Sequence, residues 1–360
     1  IVLTGCLAMR YGKELAESLP EADVIMAEAD VLPVVGAGLN PAPTTGPRPL
    51  LSLPGSAYVK ISDGCNNRCS FCAIPLIRGP LTSRQPDDII EECNALVARG
   101  IKELVFIGQD IGSYGMDWDG KQHLVELLRL VGVGLKPTPT SLWIRLLYIH
   151  PDHFPEGLLD LCAENPSILP YFDIPFQHGS DKILKQMGRR KTAAEYLQLI
   201  TAIRSKLPGA VIRSTFMTGF PGETDEDFAA LQDFQQKAQL DWAGAFAYSR
   251  EDGTAAYSMK NQVPKKTART RLRLIEEAQT AISEKRLQSF VGKTLDVLIE
   301  EKIEDDAETG EDFYLGRAYN QAPEVDGATV LTSETPLTPG TLVKARITAC
   351  TGVDLQGFTL

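Results

Sequence analysis

The stretch that decides the interpretation of this chain is CNNRCSFC, residues 65–72, in which Cys65, Cys69 and Cys72 have the spacing CxxxCxxC. Three thiolates so spaced can bind one face of a cubic iron-sulfur cluster, which leaves the fourth iron without a protein ligand. A zinc site would need a fourth ligand close by, and the next candidates, Cys93 and His123, fall within helical patterns. Seven cysteines in 360 residues are spread too thinly for a disulfide framework. The spacing therefore favours an iron-sulfur cluster over zinc or structural thiols.

An aromatic residue just before the last cysteine strengthens this interpretation. With Phe71 in that position, the motif resembles the signature of radical S-adenosylmethionine (SAM) enzymes, in which the open iron binds the amino and carboxylate groups of the methionine part of SAM. The segments 61–65 (ISDGC), 73–79 (AIPLIRG) and 83–84 (SR) resemble, more narrowly, the methylthiotransferases. The resemblance continues to the C-terminus. It implies a SAM-coupled 4Fe-4S cluster on the three cysteines, with Phe71 beside the cofactor.

Length and composition indicate a protein of two or three domains. The chain is 43% hydrophobic, and no apolar run approaches the ~18 residues that span a bilayer, so we expect no membrane association. The net charge of −11 argues against a broad electrostatic contact with nucleic acid. Because cluster thiolates need a reducing compartment, we expect a cytoplasmic protein.

Residues 1–40 are predicted to be the C-terminal part of a truncated N-terminal α/β domain, with a helix over 13–19. The run TGCLA at 4–8 resembles the segment that carries the last of three cysteines in the N-terminal domain of methylthiotransferases, where a second 4Fe-4S cluster is bound. The resemblance implies that Cys6 is one ligand of that cluster, with its two partners upstream of residue 1. Considered alone, a cysteine after glycine is more often a structural thiol. The Gly-, Pro- and Thr-rich residues 41–56 are predicted to be an extended linker.

Strand and helix patterns alternate through residues 57–290. We predict strands at 58–61, 103–107, 142–147, 171–174, 210–216 and 242–247, with helical patterns between them. Such alternation predicts a parallel sheet with right-handed crossovers. With the cysteine loop after the first strand, it fits the partial (βα)6 barrel of radical SAM enzymes. A charged helix over 265–290 should pack on this barrel through an apolar stripe, with its charges, Arg271 among them, facing solvent.

In such barrels the chemistry lies in the loops that follow the strands. Gln109 and Asp110 follow the second strand, where the resemblance implies contact with the methionine amino group; loop capping is the alternative. Gly219 resembles the residue of the fifth-strand segment that lies behind the adenine. Glu223 belongs either to that segment or to the start of the next helix. His150 and His178 lie at strand ends. Each either fixes a loop by hydrogen bonds or transfers a proton.

Three arginines are candidates for pairing with the SAM carboxylate, because a guanidinium matches a carboxylate bidentately. They are Arg213, Arg84 and Arg78, and the sequence does not distinguish among them. Two further cysteines, Cys93 and Cys162, have the spacing of helix core positions and are predicted to be buried as small hydrophobic residues.

Residues 291–360 contain five short strand patterns, which predict a small antiparallel β-barrel of the OB-like type. The run APEVDG at 322–327 resembles the module called TRAM, which often binds RNA. Residues 292–360, however, carry five basic against thirteen acidic side chains, a balance of −8. Such a surface repels phosphate and favours a strongly basic partner; an acidic face that is merely solvated is the alternative.

Two segments resemble the branch of methylthiotransferases that modifies a basic ribosomal protein. They are residues 173–178 (DIPFQH) and 64–68 (GCNNR). The resemblance implies that SAM is cleaved to a 5′-deoxyadenosyl radical, which removes hydrogen from the β-carbon of an aspartate on ribosomal small-subunit protein twelve. A sulfur, associated in this family with the N-terminal cluster, is joined to that carbon, and a second SAM supplies the methyl group on the sulfur. The reaction requires an external electron donor and a sulfur donor. The alternatives are methylthiolation of tRNA adenosine and a plain iron-sulfur electron-transfer protein, and the acidic balance makes tRNA the less favoured substrate.

Overall fold

The computed structural model describes residues 2–3, 5–19, 24–25, 50, 52–135, 141–303 and 312–360. Most of the predicted linker, residues 41–49 and 51, lies outside these residues. Among the described residues the strands are β1 (Val2–Leu3), β2 (Val24–Ile25), β3 (Ser56–Lys60), β4 (Ser62–Asp63), β5 (Thr82–Ser83), β6 (Glu103–Ile107), β7 (Trp143–Leu146), β8 (Ile168–Asp173), β9 (Val211–Thr218), β10 (Trp242–Ala247), β11 (Thr294–Lys302), β12 (Asp312–Ala318), β13 (Thr329–Ser333), β14 (Leu342–Thr351) and β15 (Asp354–Thr359). The helices are α1 (Cys6–Ser18), α2 (Ile74–Ile77), α3 (Pro86–Ala98), α4 (Met116–Asp119), α5 (Leu124–Gly134), α6 (Leu158–Glu164), α7 (Asp181–Gln186), α8 (Ala193–Lys206), α9 (Asp225–Ala238) and α10 (Lys265–Leu287).

The N-terminal segment pairs β1 with β2 in parallel and places α1 between them in sequence. The predicted helix start at residue 13 is wrong, because α1 begins seven residues earlier, at Cys6. Gly5 explains the early start, since its φ of 95° turns the chain directly from the strand into the helix.

The central sheet contains β3, β6, β7, β8, β9 and β10, paired in parallel in that order. This confirms the predicted βα alternation, with strand ends shifted by no more than three residues. Strand β6 shows how the residues select their faces: Leu104 and Phe106 pack towards the helices, whereas Val105 packs on the opposite side. Cys93 and Cys162 are buried in the helix-covered core, as predicted.

The opposite face of the sheet is divided into two halves. The half near the amino ends of the strands packs against the C-terminal domain through Val105, Trp143, Tyr171, Val211 and Trp242. The half near the carboxyl ends is open, and the side chains of Tyr148 and Phe246 there are 47% and 41% exposed. The sheet therefore keeps an accessible inner surface at the edge where the strand-end loops begin.

The C-terminal domain is a closed barrel with the strand order β11-β12-β13-β15-β14, so a five-stranded barrel is confirmed. It differs from the predicted antiparallel barrel in one pairing, because β13 and β15 run parallel. The other pairings, including the closure of β14 onto β11, are antiparallel. The parallel pair arises because β15 folds back on β14 and is thereby placed beside β13.

A buried ion cluster joins the two domains. Glu103 accepts hydrogen bonds from Arg145 Nε at 2.7 Å, Arg317 Nη2 at 2.7 Å and Ser56 Oγ at 2.6 Å. Burial alone would raise the pKa of Glu103, but the two guanidinium groups lower it to about 2. Arg317 also pairs with Glu300, so one of the acids counted towards a basic partner is used inside the protein.

Among the described residues, no helix is both long and apolar enough to cross a membrane.

Candidate functional site

The cysteine loop lies at the carboxyl edge of the sheet, where β3 and β4 end and α2 begins. Gly64, with a φ of 71°, lets the chain pass so close to Pro80 that a Cβ atom would lie 2.0 Å from its carbonyl oxygen. Ser70 anchors the other end, since its N–H donates to Met187 O at 3.0 Å and its carbonyl accepts from Ala256 N at 2.7 Å. The loop is therefore held from both sides, and the three thiols have fixed positions.

The three thiols are free and half-buried. Backbone N–H groups of Asn67 and Ile74 donate to the sulfurs of Cys65 and Cys72, each at 3.4 Å. Burial nevertheless raises the pKa of Cys65 to about 11, and burial also raises the pKa values of Cys69 and Cys72. Buried thiols of this kind ionise when a metal supplies positive charge, so this donor set fits a metal group.

The thiols are not arranged around a single ion. In the described part of the chain, no three His, Cys, Asp or Glu side chains are placed to hold one metal ion together. A 4Fe-4S cluster is larger than one ion and takes one thiolate per iron. A 4Fe-4S cluster on Cys65, Cys69 and Cys72 therefore stays a prediction of their spacing.

Asp110 ties the cysteine loop to the strand ends. Its oxygens accept hydrogen bonds from Asn67 Nδ2 at 2.9 Å, Ser113 Oγ at 2.6 Å and the backbone N–H groups of Gly112 and His150 at 3.1 Å, and one oxygen lies 2.9 Å from His153 Nδ1. Burial opposes ionisation of Asp110, but these partners lower its pKa to about 2. The structure thus places Asp110 as an organiser of the loop, which is close to the loop-capping alternative.

A guanidinium beside the thiols comes from Arg189, which the sequence did not indicate. His150 Nε2 lies 3.8 Å from Cys69 Sγ and contacts Arg189 Nη1. Burial and the charge of Arg189 lower the pKa of His150 to about 3, so this imidazole is neutral. Arg189 follows Gly188, where a Cβ atom would lie 2.7 Å from Arg68 O. In the sequence, the signal for this contact is the Gly-Arg pair at 188–189, just after α7, because a glycine there permits the close approach.

Two of the three arginines proposed from sequence, Arg84 and Arg213, have partners outside the cysteine loop. Arg84 donates to Lys60 O at 2.7 Å and to Glu92 Oε2 at 2.6 Å. Arg213 pairs with Asp173 at 3.1 Å and with Asp326 at 3.4 Å, on the inner face of the sheet. Neither has a contact with the cysteine loop among the hydrogen bonds and ion pairs described here.

Arg78 instead reaches towards the N-terminal segment. Its Nη2 donates to Cys6 Sγ at 3.2 Å, and its Nη1 lies 3.7 Å from Asp63 Oδ2. Cys6 is exposed at the start of α1, and Arg10 of the same helix pairs with Glu251 at 3.0 Å. The structure therefore brings Cys6 to the same edge of the sheet as the cysteine loop.

Several polar atoms at the carboxyl edge are buried without a hydrogen-bond partner in the described protein. Four of them belong to residues that follow β3, β6, β8 and β10, and the fifth to a residue that follows α7. In that order they are Ser62 Oγ, Gln109 Oε1, Gln177 Oε1, Tyr248 OH and Arg189 Nε. A buried polar group without a partner costs ~1–3 kcal/mol. The ammonium, carboxylate, ribose and adenine groups of SAM could satisfy such atoms. The edge therefore fits that cofactor, and Gln109 is one residue available to it.

Gly219 and Glu223 form one buried unit. The Gly219 N–H donates to Glu223 Oε2 at 2.8 Å, and Arg271 of α10 donates to Glu223 Oε1 at 2.5 Å. The start of α9 is capped by Thr224 with Asp227, so Glu223 belongs to the strand-end segment. Arg271 is 6% exposed, and its predicted position on the solvated face of α10 is wrong because Glu223 requires a buried cation.

An apolar cluster lies next to this unit. Phe71 packs against buried residues that include Met187, Met217 and Phe220. These side chains come from the cysteine loop, the end of α7 and the end of β9. The structure thus brings Phe71, Gln109, Asp110 and Gly219 to one edge of the sheet, and it places Arg213 on the inner face of the sheet.

Comparison with known proteins gives the family. Residues 59–234 match the radical SAM superfamily, and residues 291–359 match the TRAM domain. The chain is 43% identical to the ribosomal protein uS12 methylthiotransferase RimO of Treponema denticola, over 100% of this chain and 86% of that relative. The enzymes of the same name from Carboxydothermus hydrogenoformans and Pseudothermotoga lettingae are 40% and 41% identical, each over 99% of this chain and 82% of the relative. The chain therefore belongs to the radical SAM methylthiotransferases, in the family of the ribosomal protein uS12 enzymes.

Proposed function

We propose that this chain adds a methylthio group to the β-carbon of an aspartate of ribosomal protein uS12. The observation that carries the chemistry is the position of the CxxxCxxC loop at the carboxyl edge of a parallel sheet, beside buried polar atoms without partners. The uS12 enzymes that align with nearly the whole chain support the substrate. Ribosomes lie in the cytoplasm, which is also the reducing compartment that thiolate ligands need.

Cys65, Cys69 and Cys72 would hold a 4Fe-4S cluster with one open iron, and Gln109 and Gly219 would contact SAM. When bound, the cluster and SAM supply a carbon-centred radical that can remove hydrogen from an unactivated carbon. The chain's own residues hold this site in place. Asp110 positions the cysteine loop through Asn67, and Phe71 with its apolar neighbours excludes water from one side.

Cys6 would be one ligand of a second 4Fe-4S cluster, associated with the sulfur that is transferred. Its contact with Arg78 supports this proposal, because Arg78 follows the cysteine loop by only six residues and so links the two sites. Electron and sulfur donors would be external to this chain. The two sites would then share one edge of the sheet, which shortens the path between sulfur and substrate carbon.

A basic protein substrate agrees with the acidic balance of residues 292–360, but fewer acids are available than the sequence suggested. Glu300 and Asp326 are buried in ion pairs, and Asp296 and Asp312 pair with lysines. Among the described residues, Glu301, Glu324 and Glu334 remain exposed. Five further acids counted from the sequence lie outside the described residues, and these are Glu304, Asp305, Asp306, Glu308 and Glu311.

The test is anaerobic reconstitution of the full-length protein with iron and sulfide, followed by dithionite, SAM and purified uS12. We expect 5′-deoxyadenosine by chromatography and a methylthio group on one uS12 aspartate by mass spectrometry. C69S should abolish both products, whereas C350S, a half-buried cysteine of the C-terminal barrel, should retain them. Lack of deoxyadenosine from the wild-type enzyme would refute the radical chemistry. Modification of tRNA adenosine in place of uS12 would refute the substrate.

A further inference from the structure

A small cavity lies between the inner face of the sheet and the C-terminal barrel. Its volume is about 210 Å³, and its lining comes from both domains: Tyr58, Ile107, Leu147, Tyr148, Asp173 and Arg213 from the sheet, and Pro323, Glu324 and Val325 from the barrel. Ile107 and Tyr148 each lie two residues before a residue at the carboxyl edge of the sheet, Gln109 and His150 respectively. The cavity therefore adjoins the proposed site of chemistry.

The charges around this cavity are unbalanced. Arg213 is the cation of the lining, and it is already paired with two carboxylates, those of Asp173 and Asp326. Glu324 adds a third carboxylate, and its side chain is exposed. Burial and, next in size, the charge of Glu324 raise the pKa of Tyr58 to about 12, which agrees with a short distance between the two. A second cation would reduce this excess of negative charge, whereas a further anion would meet repulsion.

The loop that carries Glu324 is anchored to the sheet. Asp326 accepts hydrogen bonds from Ala322 N at 2.8 Å and from Tyr171 OH at 2.5 Å, in addition to its contact with Arg213. Glu324 itself has a φ of 68°, a conformation that is uncommon for residues other than glycine. Backbone strain of this kind is typical of binding sites and costs ~1–3 kcal/mol. The backbone that carries Glu324 is thus held in place before any partner arrives.

The size and lining select one kind of occupant. The volume of about 210 Å³ lies below the ~300 Å³ at which small-molecule pockets begin, so one long side chain fits better than a whole cofactor. Tyr58 and Tyr148 line the cavity, and aromatic rings attract cations. Resting on the proposed function, we propose that Glu324 is a specificity residue, which binds a Lys or Arg side chain of the protein substrate next to the aspartate that is modified.

The experiment measures KM and kcat for uS12 with the reconstituted enzyme, using mass spectrometry of the methylthio product. E324Q keeps the shape of the side chain and removes its charge, and E334Q removes an exposed charge of the same domain away from the cavity. We expect E324Q to raise KM about fivefold, the effect of ~1 kcal/mol of charge pairing, and E334Q to leave KM unchanged.

A second arm uses uS12 variants in which each Lys or Arg neighbouring the modified aspartate in sequence is replaced by Gln. One of them should raise KM for the wild-type enzyme by about the same factor and cause no further rise with E324Q, since the two changes remove one interaction. Equal KM values for E324Q and wild type, additive effects for every uS12 variant, or a loss confined to kcat would each overturn the inference. Absence of the methylthio product with the wild-type enzyme would instead refute the proposed function itself.

Discussion

The buried ion cluster between the two domains predicts a large and measurable effect of a single atom change. In E103Q the carboxylate is lost, and Arg145 and Arg317, whose side chains are 0% and 3% exposed, keep their charges without the central partner. The pKa of Glu103 is lowered from 4.5 to about 2, and at ~1.4 kcal/mol for each pKa unit this corresponds to ~3 kcal/mol. Breaking a buried ion pair from one side costs ~3–5 kcal/mol. We therefore expect E103Q to lower the free energy of unfolding by ~3 kcal/mol.

Urea titration followed by tryptophan fluorescence checks this value, because Trp143 is paired with Glu103 in the sheet and Trp242 is buried against the same C-terminal domain. D233N, which removes an exposed pair with Lys237, is the matched control and should cost at most ~0.5 kcal/mol. The sign of the pH dependence provides a further check. The folded-state pKa of Glu103 is lowered, so its contribution is complete above pH 4.5 and is lost as the pH falls towards 2. E103Q should lose this part of the acid sensitivity, and a loss of less than ~1 kcal/mol near neutral pH would refute the reasoning.

Two further predictions concern the carboxyl edge of the sheet. E223Q removes the carboxylate charge that holds Gly219 N–H and Arg271. We expect ~10-fold weaker SAM binding, measured by anaerobic equilibrium dialysis. E226Q, at an exposed position, is the control, and equal SAM affinities of E223Q and wild type would contradict the role of Glu223. G219A would place a Cβ atom 2.3 Å from Ala268 Cβ at a φ of 74°, so we expect a loss of ~2–3 kcal/mol in thermal or urea unfolding. G120A, with a φ of 80° and open space around it, should show only the backbone part of that loss, and equal losses in the two variants would show that the contact with Ala268 does not matter.

The position of the cysteine loop and the order of strands and helices could be predicted from the sequence because they depend on neighbours along the chain. The spacing of Cys65, Cys69 and Cys72 lies within eight residues, and the alternation of apolar residues reports each strand locally. For the same reason the strand ends located Gln109 and Gly219 at one edge of the sheet.

Only the tertiary structure decided which charges meet, because such partners are far apart in sequence. Glu103 and Arg317 are separated by 214 residues, and no local pattern marks either one as buried. Arg189 rather than Arg84 or Arg213 lies beside the thiols, since the turn after α7 packs against the cysteine loop. The count of charged residues in the sequence treats every acid of the C-terminal domain as surface charge. In the structure, Glu300 and Asp326 lie in buried ion pairs, and Glu324 lines the cavity. Burial and charge pairing depend on three-dimensional packing, and for that reason the fold was needed to distinguish these residues.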